Sequence, residues 1–167
     1  MSMKGRAFVF GDEINTDLIT PSDYFGESFD VMAEHVFEPI RPDFNDEFQS
    51  GDIVVAGSHF GSGSSRESAA AALQAAGVGV VVAESFSRIF YRNSIAWGLP
   101  VVSCPNVTDF VEDGDEIEVD LDEGIVRNCD TGEEGDCESI PKEIQEVFDV
   151  GGLREHYRKH PEGLKTE

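Results

Sequence analysis

The chain has 167 residues, of which 40% are hydrophobic and 12 are phenylalanine, enough apolar surface to bury a core and to exclude a disordered protein. Its formal net charge is −22, from 34 acidic against 12 basic side chains, which argues against nucleic acid and anionic membranes as partners. An acidic surface can serve a specific partner, but here the acid is spread along the chain and lysine is scarce, the pattern expected of solvation in a high-salt cytoplasm where screening relieves self-repulsion.

In chain order, Arg6 to Phe10 reads as a short strand that stops at Gly11 and Asp12. The stretch GDEINTDLITP follows, a polar loop in which Thr16, Asp17 and Thr20 offer hydroxyls and a carboxylate. That is either turn chemistry alone or an arm reaching toward a site, with Asp17 able to orient an arginine. SDYFGES, residues 22–28, has no periodicity and is expected to be a surface loop carrying Tyr24 and Phe25. Phe29 to Glu38 is expected to be a short helix with Met32, Val36 and Phe37 inward and His35 on the surface or in packing; Pro39 and Pro42 close it. DFNDEFQSGD is read as a linker.

Ile53 to Ala56 is an apolar run of strand length, and Ala69 to Ala76 is made of strong helix formers, with Gly77 placed to end that helix. Between them lies GSHFGSGSSRES, Gly57 to Ser68, with three glycines, five serines and one arginine. A helix start leaves backbone N–H groups without partners and carries partial positive charge, and Arg66 adds a forked donor suited to a carboxylate. Gly61 and Gly63 would let a ligand approach the main chain. The loop therefore reads as an anion site. Ser64 and Glu67 also fit the spacing of a capping box, and the two readings are compatible. It is not a phosphate loop of the Walker type, because the lysine is missing and the GxGxxG order is not matched.

Val78 to Ala83 suits a strand covered on both faces. Glu84 to Trp97 places Phe86, Ile89, Phe90, Asn93 and Trp97 at helical spacing, most of the aromatic residues in the core, with Gly98 and Pro100 ending the helix. Arg88 and Arg92, four apart, are expected to pair with nearby acids, a partner subunit being the other option. Val101 to Ser103 adds a further strand, so strand and helix alternate in the manner of parallel crossover units. DEIEVDLDEGIVRN then reads as a hairpin turning near Asp122 to Gly124, and TGEEGDCES as a solvated loop. Pro141 starts a short helix holding Ile144, Val147 and Phe148. A tail over about residues 151–167 is expected to fray, with Leu153 and Tyr157 spaced to dock a last turn. One domain is expected, with its core over about residues 5–150. Cys104, Cys129 and Cys137 include no CxxC pair, so free thiols are expected and no metal site within this chain. With no signal-like or membrane-length apolar segment, the expected location is the cytoplasm.

Three stretches together, GDEINTDLITP, GSHFGSGSSRES and AESFSRIFYRNSIAWGLPVV, resemble the small subunits of isopropylmalate isomerases, the swivelling domain of the aconitase superfamily. The resemblance runs from about Gly5 to Arg127, and the acidity fits a halophilic archaeal version. It implies an α/β class, three-layer β/β/α fold with parallel βαβ units and a C-terminal hairpin. It also implies a large-subunit partner carrying a 4Fe–4S cluster with one iron open to a small dicarboxylate substrate. The implied reaction removes water from 2-isopropylmalate and returns it in the opposite sense to give 3-isopropylmalate, a step of leucine synthesis. By the same resemblance Ser64 is the general base, Ser65 and Arg66 hold a substrate carboxylate, and Thr16, Asp17 and Thr20 belong to the active-site wall. The family often has Cys at Ser62 and His at Ser68, departures expected to tune the site without abolishing it. A carboxylate-bearing substrate is generally met by an arginine in the 22–28 loop; Tyr24 and Phe25 stand there instead, which favours an isopropyl group over homocitrate. The alternatives are a homoaconitase or citraconate-type hydratase subunit and a non-catalytic binding module. The module would be expected to lose the GSSR residues first, and all are present.

Overall fold

The computed structural model describes residues 1–64 and 66–162. Seven strands form one sheet in the order β4-β3-β2-β1-β5-β6-β7, where β1 is Ser2–Val9, β2 Ile53–Ala56, β3 Val80–Ala83, β4 Val101–Ser103, β5 Glu116–Asp120, β6 Ile125–Asn128 and β7 Glu134–Asp136. The first four pair in parallel, and β1 switches to antiparallel pairing with β5, which opens the β5-β6-β7 meander. The helices are α1 Thr16–Ile19, α2 Phe29–Ala33, α3 Phe44–Glu47, α4 Ser68–Ala76, α5 Arg88–Trp97, α6 Val107–Phe110, α7 Lys142–Val150 and α8 Leu153–Lys159.

The period of two in a strand decides the layering. In β2 and β3, Ile53, Val55, Val80 and Val82 enter one core, whereas Val54, Ala56, Val81 and Ala83 enter the other. Both faces of these strands are buried, which is why they read as unbroken apolar runs. The first core also takes Ile117, Val119 and Val126 from the meander, so the two halves of the sheet face each other across it. The sheet curls far enough for its ends to meet, with Glu138 N–H donating to the Ser103 carbonyl at 3.0 Å and Ser103 N–H to the Glu138 carboxylate at 3.0 Å. On the outer face, Ala69, Ala70, Ala72 and Leu73 of α4, Met32 of α2 and Phe90 of α5 pack with a phenylalanine cluster of Phe8, Phe10, Phe37, Phe44 and Phe60. The result is the expected β/β/α arrangement with parallel units and a hairpin.

Several local expectations change. GDEINTDLITP contains helix α1, started by Asn15, whose side chain accepts the Leu18 N–H. The presumed linker contains α3, whose Phe44 is fully buried against Phe8 and Phe37. The helix from Phe29 stops at Ala33 and continues as turns, yet Val36 and Phe37 still reach the core. TGEEGDCES is not wholly loop: β7 forms because it pairs with β6, and Gly135 is required where a Cβ would lie 2.5 Å from the Phe110 ring. Of the residues at helical spacing in α5, Phe90 is buried and Ile89 is 47% exposed. In the tail, α8 docks through His156, 2% exposed, and not through Tyr157, 50% exposed.

Candidate active site

The polar arm and the glycine–serine loop are stitched together along their length. Glu13 N–H donates to Ser58 O at 2.7 Å, Gly61 N–H to Ile14 O at 2.7 Å, and Thr16 N–H to Ser62 O at 2.9 Å. Asp12 adds a carboxylate that accepts the Ser58 N–H at 2.8 Å. These bonds require the chain to turn sharply, and His59, Gly61 and Gly63 all have positive φ, at 59°, 81° and 101°. At Gly61 the reason is also steric, because a Cβ there would lie 2.2 Å from the Phe90 ring.

This stitching brings Thr16 Oγ1 to 3.1 Å from Ser64 Oγ. Thr16 is 4% exposed, behind Ser64 and not on the surface of the site. Thr20 lies deeper, 1% exposed, and its hydroxyl donates to the Thr16 carbonyl at 3.2 Å. Thr20 therefore secures α1 rather than facing a ligand. Asp17, on the exposed side of α1, approaches the Arg66 guanidinium at 3.6 Å. Phe25 lies under that guanidinium, 4.0 Å from ring centroid to Cζ. Both partners of the ion pair are well exposed, so it orients Arg66 and adds little stability. Ser65 lies outside the described residues.

Tyr24 does not share the position of Phe25. Its ring stacks on His35 at 3.7 Å with an interplanar angle of 7°. Burial, with the Glu38 and Asp23 carboxylates, raises its phenol above the ordinary range. The cleft beside Arg66, about 410 Å³, is lined instead by Phe25, Phe29 and Met32 with Glu67 and Ser68. Phe29 and Met32 therefore line the cleft, although their sequence marks them only as parts of a helix. Their spacing of three on α2 is the signal that could have found them, since it puts both on one helix face.

The capping box is not formed. Helix α4 begins at Ser68 with Glu67 at the cap position and no side-chain cap bond, so Ser64 sits three residues too early. Glu67 accepts instead from the Trp97 indole N–H at 3.4 Å. Ser64, released from capping, has its hydroxyl directed to Thr16. Ser68 Oγ is buried and has no hydrogen-bond partner among the described residues.

No cysteine lines the cleft beside Arg66. Burial pushes the Cys104 thiol up to about 11 and the Cys137 thiol up to about 12, and among the described residues no three His, Cys, Asp or Glu side chains gather in a way that would hold a metal ion. Among the same residues no helix is long and apolar enough to cross a membrane.

Residues 32–106 match the family model of the aconitase C-terminal domain. The chain is 51% identical to 3-isopropylmalate dehydratase small subunit 1 of Methanopyrus kandleri over 92% of its own length and 91% of that relative. It is 48% identical to the 3-isopropylmalate dehydratase small subunit of Aquifex aeolicus, over 92% of each chain. The crystal structure of the 3-isopropylmalate dehydratase from Methanocaldococcus jannaschii superposes with a TM-score of 0.90 at 37% identity, covering 96% of both chains. On this sequence identity, coverage and shared fold, the chain belongs to the 3-isopropylmalate dehydratase small-subunit family.

Proposed function

We propose that this chain is the small subunit of a hydro-lyase that interconverts 2-isopropylmalate and 3-isopropylmalate, and that Ser64 is its general base. The observation that carries the reading is the approach of the Thr16 and Ser64 hydroxyls to 3.1 Å, with Arg66, two residues on and paired with Asp17 next to Thr16, lining an apolar cleft. In the base form the Ser64 oxygen is an anion and can only accept, so the Thr16 hydroxyl donates to it. Thr16 is buried, and a donor in a low-dielectric setting is worth more to a developing or resident negative charge than one in water. The Ser64 oxygen takes the proton from the carbon beside a substrate carboxylate. The electron pair of that C–H bond becomes the alkene bond as the hydroxyl departs from the neighbouring carbon. Return of water with the opposite regiochemistry gives the isomer, and Ser64 gives its proton back.

Arg66, steadied by Asp17 and by the Phe25 ring, pairs with a substrate carboxylate. Phe25, Phe29 and Met32 receive the isopropyl group, and no arginine stands in the 22–28 loop to meet a carboxylate in its place. The large subunit holds the 4Fe–4S cluster, which supplies the Lewis acid for the departing hydroxyl. Among the described residues, this chain's own thiols belong to no group that could hold a metal ion.

The test is anaerobic co-expression with the large subunit, cluster reconstitution, and assay on isopropylmalate, citraconate and homoaconitate. Fastest turnover of isopropylmalate is expected. Faster hydration of homoaconitate would overturn the assignment of the side group, and no turnover of any of the three would overturn the activity.

A further inference from the structure

We infer that Tyr24, His35 and Glu38 form a clasp that holds Phe25 beneath the Arg66 guanidinium, so that these three act as positioning residues for the group that binds the substrate carboxylate. The inference rests on the role given to Arg66 above and deepens it by naming what fixes that arginine's support.

The anchor of the clasp is rigid. His35 and Glu38 flank Val36 and Phe37, both fully buried, and Phe37 N–H donates to the Ile19 carbonyl at 3.0 Å. His35 Nδ1 lies 2.6 Å from Glu38 Oε2, and an ionised carboxylate can only accept, so the ring donates from Nδ1. That bond fixes the plane of the imidazole, and the Tyr24 ring lies flat on it at 3.7 Å. The Tyr24 hydroxyl completes the arrangement with a longer bond, 3.5 Å, to the other oxygen of Glu38.

The loop it holds has little else to fix its direction. Within residues 22–27 the backbone bonds are local, Tyr24 N–H to Pro21 O, Phe25 N–H to Ser22 O and Glu27 N–H to Tyr24 O, and Gly26, at φ 92°, has nothing within 4 Å of where a Cβ would stand. Among the described residues, the bond from Tyr24 to Glu38 is the one side-chain hydrogen bond from this loop to the rest of the chain. Tyr24 and Phe25 also pack on the phenylalanine cluster, but apolar contact is non-directional. Phe25 has extended backbone, in which successive side chains project to opposite sides. With Tyr24 held on His35, Phe25 is directed away from it, to 4.0 Å from Arg66 Cζ. The other contact of Arg66, Asp17 at 3.6 Å, is exposed and weak, so the ring beneath the guanidinium carries much of its placement.

The experiment uses the enzyme reconstituted with its large subunit and reads KM and kcat for isopropylmalate beside hydrogen exchange of this chain. The variants are H35A, which removes the surface on which Tyr24 lies, H35F, which keeps a ring there, and E34Q as a control for charge, Glu34 being exposed and next to His35. We expect H35A to raise KM about 3- to 10-fold, the loss of one aromatic pair, with kcat within about 2-fold of wild type. H35F should recover most of that KM, and E34Q should behave as wild type. In H35A, exchange should quicken in the peptide over residues 22–28 and stay slow in β2. Wild-type KM in H35A, an equal rise in H35F or E34Q, or exchange that quickens in β2 as well would overturn the clasp alone. No turnover by the wild-type enzyme would overturn the reading of the site and this inference with it.

Discussion

The hydroxyls of Thr16 and Ser64 lie 3.1 Å apart although 48 residues separate them in the chain. Backbone bonds between the arm and the loop, those of Glu13, Gly61 and Thr16 among them, fix that approach, and the burial of Thr16 keeps competing water from its side of it. Thr16→Val keeps the shape and removes the donor. We expect kcat to fall about 10- to 150-fold, the equivalent of about 1.5–3 kcal/mol for a hydrogen bond to a charged group, with KM nearly unchanged. Thr16→Ser should restore most of it. Equal losses in both variants would point to packing and not to the hydroxyl.

Gly61 tests the loop's dependence on α5. Alanine there adds a Cβ 2.2 Å from the Phe90 ring at a φ of 81°. The left-handed backbone costs about 1–2 kcal/mol and overpacking about 1–3 kcal/mol more. Gly61→Ala should therefore lower stability by about 2–5 kcal/mol in urea unfolding. A loss under 1 kcal/mol would mean that α5 yields easily to the loop.

Arg41 and Asp113 supply a test by pH. The Arg41 guanidinium donates twice to the Asp113 carboxylate, at 2.6 and 3.0 Å, while stacking on the Phe8 ring. That hydrogen bond, with a further one from Val9 N–H, holds the Asp113 carboxyl below its ordinary value despite some burial. A carboxyl lowered in the folded state contributes stability above its unfolded pKa, near 3.9, and loses it as the pH falls through the folded value. Asp113→Asn should thus cost about 0.5–1 kcal/mol at pH 7, the exposure of the pair keeping the figure small. The gap from wild type should close below about pH 4, as both side chains become neutral. A gap independent of pH would contradict this.

The charge of −22 predicts salt dependence. Screening shortens from about 30 Å at 0.01 M to about 3 Å at 1 M, and each kcal/mol of relieved repulsion raises the thermal midpoint by about 2–4 °C in a chain of this size. A midpoint that rises steadily with KCl is expected. One that is indifferent to salt would remove the high-salt reading of the acid.

The parts of this molecule legible in the sequence are those where one local signal decides. Ile53–Ala56 and Val80–Ala83 are apolar on both faces, and the hairpin alternates on one. Gly77 and Gly98 end their helices in the left-handed conformation. What was hidden depends on partners distant in sequence. The acidic EGD of β7 becomes a strand only because β6 offers it an edge. FNDE becomes α3 because Phe44 is drawn into the ring cluster. At the site, residue types marked Ser64, Arg66 and Asp17, but only the folded arm separates Thr16 behind Ser64 from Thr20 beneath it. The division between Phe25 at Arg66 and Tyr24 at His35 was equally invisible, since adjacent residues in a loop carry no period.

The most direct measurement is the steady-state kinetics of Ser64→Ala in the reconstituted enzyme, with the thermal midpoint recorded beside it. If Ser64 is the base, kcat falls by about 10²-fold or more while KM changes little and the midpoint holds. An unchanged kcat, with or without a loss of stability, would contradict that role.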